Sequence, residues 1–254
     1  MSDLQLAEHY ILYIDILGYK DILAKSDGQD FLNTINLVFF RTKNYVENIN
    51  LVHIEYKFKA FSDNIVVATE IKHIYDRIAV LSNISFIAGG IQSLFLAKNI
   101  MCKGAITRGS LCMDEVFVFG SGLIRAHMLG ECVAFYPRII VDRLLEKDLL
   151  IYEPNLLQRI DSDGYRYIDY LNPKLYESND MFLKALATHT MLISDAFAKY
   201  NGNSPFGFFG KDEHERIFQK YAWCREYHNR ICDMTENHGM KIDTRDIRKS
   251  SDAV

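Results

Sequence analysis

Two aspartates in this 254-residue chain follow short apolar runs and stand where strand ends would present them. Asp15 closes Tyr10-Ile11-Leu12-Tyr13-Ile14, whose β-branched and aromatic make-up is that of a buried strand. Asp63 sits at the tip of Ser62-Asp63-Asn64, between the run Ile54 to Phe61 and its continuation Ile65-Val66-Val67-Ala68. That pattern reads as two strands around a tight polar turn. A carboxylate at the mouth of an apolar strand is costly to bury unless a cation or donor meets it. A lone Asp after a strand is ordinarily a helix cap or turn residue. Two of them on neighbouring strand ends are what a hard divalent cation needs when nucleotide phosphates supply its other oxygens. Gly18 then allows a tight turn with outward N–H groups, the start of a phosphate cradle.

The elements needed to bring the pair together are legible around them. A ferredoxin-like β-α-β-β-α-β order places the end of its first strand beside the turn between its second and third. Lys20 to Lys25 reads as a helical turn, Ser26-Asp27-Gly28 as a break, and Phe31, Ile35, Val38, Phe39 and Val46 recur at helical spacing. The strand Ile54 to Phe61 alternates, so that Lys59 shares a face with its Asp63 end. A long helix, Tyr75 to Lys98, covers the sheet and is expected to be amphipathic. Gly104 to Leu111 is the fourth strand, with Thr107 and Arg108 on opposite faces. Asp114 to Phe119 forms a short arm, and Gly120 and Gly122 open a helix from Leu123 to Leu129. Arg108 is a candidate phosphate ligand, since a guanidinium fork matches phosphate oxygens and stays charged. Further on, Tyr165 to Tyr170 reads as strand, Phe182 to Tyr200 and His214 to Met234 as helices, and Lys241 to Val254 as a flexible tail. The fold class is α+β, with a core at 1–150 and a helical extension at 151–254 packed on it.

Composition narrows the classes. The chain is 49% hydrophobic and 24% charged, as expected for a folded protein with a sizeable core. Its formal charge of −4 offers no general grip on nucleic acid. Five cysteines without a C-x-x-C spacing fit buried free thiols in a reducing compartment. The acidic N-terminus reads as no signal peptide, and no charge-free membrane span is evident, so a cytoplasmic protein is expected. His189, His214 and His228 are far apart in sequence and are expected to be solvated or capping rather than a metal cluster. Trp223 and Tyr227, one helical turn apart, are expected to pack in a core or dimer contact.

Tyr13-Ile14-Asp15-Ile16-Leu17-Gly18-Tyr19 followed by Ser62-Asp63 resembles the signature of class III nucleotidyl cyclases. Gly104 to Gly109, Phe119 to Leu129 and Pro137 to Asp142 extend the likeness over a little more than half the chain. Phe61-Ser-Asp-Asn-Ile65, Ile106-Thr-Arg-Gly109 and Pro137-Arg-Ile-Ile-Val141 look most like the Pycsar pyrimidine cyclases of bacterial antiphage defence. The resemblance implies a class III cyclase core and two Mg²⁺ or Mn²⁺ ions held by Asp15, Asp63 and the Ile16 carbonyl. It implies a triphosphate over Leu17, Gly18 and Tyr19, and Lys59 as a reader of the base. It further implies a homodimer whose clefts are lined by both chains, and a product, cyclic UMP or cyclic CMP, sensed by a separate effector. The family's balance favours uridylate.

The chain departs from that pattern at one place. Where the better-known class III enzymes carry an Asn and an Arg that stabilise the transition state, the aligned positions are Ile124 and Met128. Either the chain is an inactive relative, or the cation comes from elsewhere: Arg125 is one residue away, and Arg108 and Arg138 are further candidates. Two rival readings stand beside the pyrimidine cyclase: an adenylate cyclase making cAMP, and a non-catalytic dimeric nucleotide-binding module.

Overall fold

A computed structural model describes residues 5–20, 28–48, 54–73, 77–149, 157–200 and 211–243. Most of the readings at Lys20 to Gly28 and in the tail from Lys241 lie outside those residues. The chain divides into two compact units, Met1–Tyr170 and Leu171–Val254.

The first unit is built on a sheet. Its strands are β1 (Ala7–Ile16), β2 (Tyr56–Phe61), β3 (Asn64–Glu70), β4 (Cys102–Met113), β6 (Ile139–Val141), β7 (Gln158–Ile160) and β8 (Arg166–Ile168), in the order β2-β3-β1-β4-β6-β8-β7. A short β5 (Val118–Phe119) folds back on the end of β4. Helix α1 (Gly28–Asn48) joins β1 to β2, and α2 (Arg77–Leu96) joins β3 to β4. The first four long strands thus realise the ferredoxin-like arrangement, antiparallel throughout. The only parallel pairing among the described strands is β4 with β6. β7 and β8 come from beyond position 150, so the sheet and its unit run past the 1–150 core.

β1 is continuously apolar because both of its faces are covered. Tyr10, Leu12, Ile14 and Ile16 join Val80, Leu81, Ile84, Ile87 and Phe95 of α2 in the larger core. Ile11 and Tyr13, on the other face, join Val66, Ala68, Leu111 and Met113 beneath Ala126 and Leu123 of α3 (Ser121–Met128). Fully burying each such aliphatic side chain contributes roughly 1.5–3 kcal/mol. Helix α2 is apolar nearly all round rather than amphipathic, and it is long and apolar enough to cross a membrane by length and composition alone. More than half of its most apolar window is nevertheless buried within the protein, as in a core helix.

The second unit holds α4 (Asn179–Tyr200) and α5 (Lys211–Met234), packed on each other. Trp223 stacks on Tyr227 with ring centroids 5.4 Å apart, and the Tyr227 hydroxyl accepts the Leu171 N–H. The histidines depart from expectation. His189 and His228 are fully buried, with their Nδ1 atoms 3.2 Å apart. Folding α4 against α5 joins positions that the sequence separates. The His228 Nε2–H faces the Met240 carbonyl at 2.9 Å, which leaves its Nδ1 to accept from His189. Thr190 Oγ1 and Cys232 Sγ also lie beside His228 Nε2, and Tyr227 meets the His189 ring edge-on. Burial, and for His189 the neighbouring His228, holds both imidazoles below their ordinary pKa.

The unfolded chain therefore takes up these protons first as pH falls through about 6.5, and the folded unit loses stability below that point. The slope should reach about 2.7 kcal/mol per pH unit if both rings resist protonation. Denaturant melts of this chain between pH 7.5 and 5 should show the loss, and His189→Gln should flatten it. An unchanged slope in that variant would exclude the pair as its source.

Candidate active site at the ends of β1 and the β2–β3 turn

Strand register brings the two aspartates to one end of the sheet. Asp15 lies opposite Asn64 on β3, and the Ile16 N–H donates to the Asp63 carbonyl at 2.9 Å. The chain then turns at Leu17 and Gly18, with the Leu17 N–H on the Met101 carbonyl. Gly18 has φ +73°, the left-handed conformation that glycine adopts without steric cost. The turn itself strains Ser62, at φ 56°. Tyr13 Oη donates to Asn64 Oδ1, and Asn64 Nδ2 donates to Asp63 Oδ1 at 2.9 Å. This chain of contacts orients the Asp63 carboxylate and leaves its Oδ2 without a partner among the described residues.

The sequence reading missed the cation of this site. Lys103 lies directly across β4 from Asp15 and is only 7% exposed. Its ammonium is 3.6 Å from Asp15 Oδ2, 3.2 Å from Glu131 Oε2 and 3.0 Å from the Gly130 carbonyl. Burying an ammonium costs several kcal/mol unless oxygens surround it, and three do. Burial raises the Asp15 carboxyl pKa to about 6; Lys103 lowers it, while Glu131 and Asp63 push it up. Tyr13 is held protonated by burial and by the same three carboxylates, in keeping with its donor role.

The donor set is all oxygen: two carboxylates at adjacent strand ends, with Asp63 Oδ2 left open by the turn's own hydrogen bonds. That chemistry fits Mg²⁺ or Mn²⁺. Among the described residues no group of three or more His, Cys, Asp or Glu side chains is arranged to hold a metal ion. Water oxygens, or substrate oxygens when a triphosphate is bound, would complete the shell.

All three candidate arginines are engaged elsewhere. Arg108 pairs in register with Tyr10, on the sheet face opposite Asp15 and five residues along β4, about 17 Å away. It meets Glu8 and Asp148 at 3.3 Å, and Asp148 also accepts from Tyr10. Arg125 grips Asp142 with two nitrogens, Nη2 at 2.9 Å from Oδ1. Burial alone would raise the Asp142 pKa, but Arg125, Thr107 and the Leu144 N–H bring it below the usual range. Arg138 is fully buried between Asp161 and Asp163. Ile124 and Met128 stand in solvent, 63% and 57% exposed.

Lys59 lies opposite Val66, which lies opposite Tyr13, so it shares the Asp15 face of the sheet. There it lines an open groove of about 1040 Å³ with Lys57, Phe58, Phe61, Asp114 and Phe117. Lys57 Nζ donates to the Met113 carbonyl at 2.9 Å, tying β2 to the end of β4. Of the cysteines, Cys102, Cys112, Cys224 and Cys232 are buried free thiols as expected, and Cys132 is exposed.

No family model matches the chain, and no curated protein does. Among solved structures, it is similar to the adenylyl cyclase CyaB from P. aeruginosa, with 13% identity and a TM-score of 0.45 over 66% of this chain and 96% of that one. It is also similar to the catalytic core of a rhodopsin-guanylyl cyclase with converted specificity, in complex with ATPαS, at 13% identity and a TM-score of 0.46 over 66% and 98%. A class III adenylyl cyclase-like ATP-binding protein from Pseudomonas aeruginosa matches at 13% identity and 0.41 over 58% and 37%.

Proposed function

We propose that this chain is a class III-type nucleotidyl cyclase acting in the cytoplasm. Its substrate would be a pyrimidine nucleoside triphosphate, UTP slightly ahead of CTP. The product would be a messenger for a separate effector in antiphage defence. The observation that carries the catalytic reading is the pairing of Asp15 and Asp63 on adjacent strand ends, with one buried ammonium beside them.

The substrate's 3′-oxygen attacks its own α-phosphorus, the bond to the β-phosphate oxygen breaks, and the hydroxyl proton leaves with pyrophosphate release. Asp15, Asp63 and the Ile16 carbonyl would hold two Mg²⁺ or Mn²⁺ ions, which when bound supply Lewis acidity at the hydroxyl and shield the triphosphate. Lys103 supplies positive charge beside the phosphates, in the role for which the arginines were candidates. The phosphates would lie over the turn Leu17, Gly18 and Tyr19; the Leu17 N–H is committed to the Met101 carbonyl, so Gly18 and Tyr19 present the backbone N–H groups. Lys59 donates from the groove to an acceptor on the base. Exposed Phe61, Val116, Phe117, Phe119, Ile124 and Met128 offer the apolar surface for a homodimer.

Purified protein with Mn²⁺ and each of ATP, GTP, CTP and UTP, its products resolved by mass spectrometry, tests this reading. A cyclic pyrimidine nucleotide that disappears in Asp63→Ala supports it, and cAMP instead moves the substrate to ATP. One observation favours a non-catalytic module: Ile124 and Met128 are exposed and all three arginines are committed to carboxylates. Binding of a triphosphate without turnover of any would select that module.

A further inference from the structure

Helix α3 does not end as an α-helix. It runs into a π turn, Leu129–Val133, in which the Ala134 N–H bonds to the Leu129 carbonyl five residues back. The Phe135 N–H goes to Val133, so neither of these amides takes the Gly130 carbonyl. That carbonyl accepts from Lys103 instead. A β-carbon at Gly130 would stand 2.9 Å from the Tyr13 ring, so the turn approaches the strand as closely as glycine allows. π turns of this kind concentrate at functional sites.

The two shorter contacts of the Lys103 ammonium, to Gly130 at 3.0 Å and Glu131 at 3.2 Å, both come from this turn. The longest, 3.6 Å, is to Asp15. The ammonium therefore sits nearer the turn than Asp15, which stays within ion-pair reach directly across the strand pair. We propose that Glu131 is a positioning residue: it and the π turn hold Lys103 back from Asp15, so that the Asp15 carboxylate stays available to a divalent cation. The inference rests on the metal-dependent reading above and extends it to a residue outside the aspartate pair. Without the Glu131 charge, Lys103 closes on Asp15 and competes with the cation for its oxygens.

The test uses the full chain and Mn²⁺ alone, with free Mn²⁺ followed by electron paramagnetic resonance. Glu131→Gln should weaken Mn²⁺ binding about threefold to tenfold, the scale of one partly buried charge pair, and Glu131→Asp should restore part of the loss. In a Lys103→Met background the same Gln substitution should change binding less than about twofold, because the competing ammonium is gone. Equal losses in both backgrounds would overturn the proposal, since Glu131 would then act on the metal or the fold directly. A second arm follows Lys103 without metal, by its rate of amine acylation read by mass spectrometry. Glu131→Gln should change that rate severalfold, and an unchanged rate would overturn the clamp. A parent that binds no Mn²⁺ but shows the acylation change would refute the metal reading and its coupling to Glu131, while upholding the hold on Lys103.

Discussion

Asp15→Asn should abolish turnover, lowering it by about a thousandfold or more, while the protein stays folded. Asparagine keeps the shape of the side chain opposite Asn64, and its carbonyl oxygen can still face Lys103. The fold also loses a carboxylate that burial, Glu131 and Asp63 all disfavour as an anion. The melting temperature should therefore hold or rise slightly, even as the site loses a ligand for its cations. The measurement pairs a thermal melt with product detection from each triphosphate in Mn²⁺. More than a tenth of parental turnover would remove Asp15 from the chemistry, and a collapsed melt would move its role to structure.

Gly104→Ala should do the opposite, striking the fold first. A β-carbon there would sit 2.0 Å from the Tyr13 carbonyl oxygen, 3.0 Å from its carbon and 3.1 Å from the Ile14 α-carbon. All three are backbone atoms of β1, locked in a ladder that runs from Ala7 opposite Leu111 to Ile16 opposite Cys102. No flexible side-chain end is available to move aside. The cost should be at least about 3 kcal/mol, and the first unit should melt roughly 6–12 °C lower. A variant melting within about 2 °C of the parent would show that β1 and β4 can separate locally. Because Asp15 and Lys103 face each other one register position away, any surviving Gly104→Ala protein should also bind Mn²⁺ poorly.

These two expectations draw on different levels of the chain. The apolar run before Asp15, the turn around Asp63 and the helical spacing of Phe31, Ile35 and Val38 are local patterns, set by side-chain shape and backbone sterics within a few residues. They were enough to propose the strands, the α+β class and the meeting of the aspartates, because few topologies join such elements without crossing connections. The π turn after α3 left no such trace. It looks like any helix end until the Ala134 N–H is found on Leu129.

Charge partners were the least legible part. An arginine near the motif reads as available to phosphate, yet Arg108, Arg125 and Arg138 each meet carboxylates supplied from elsewhere in the sequence. His189 and His228 look solvated until helix packing closes a separation of 39 positions to 3.2 Å. Strands and helices follow from short-range periodicity, so the sequence alone determined those elements and the neighbouring places of Asp15 and Asp63. Which cation faces Asp15 depends on the register of β4 against β1, where a shift of one residue would turn Lys103 to the opposite face. Only the tertiary structure decided that pairing, because register is set by the packing of both sheet faces together.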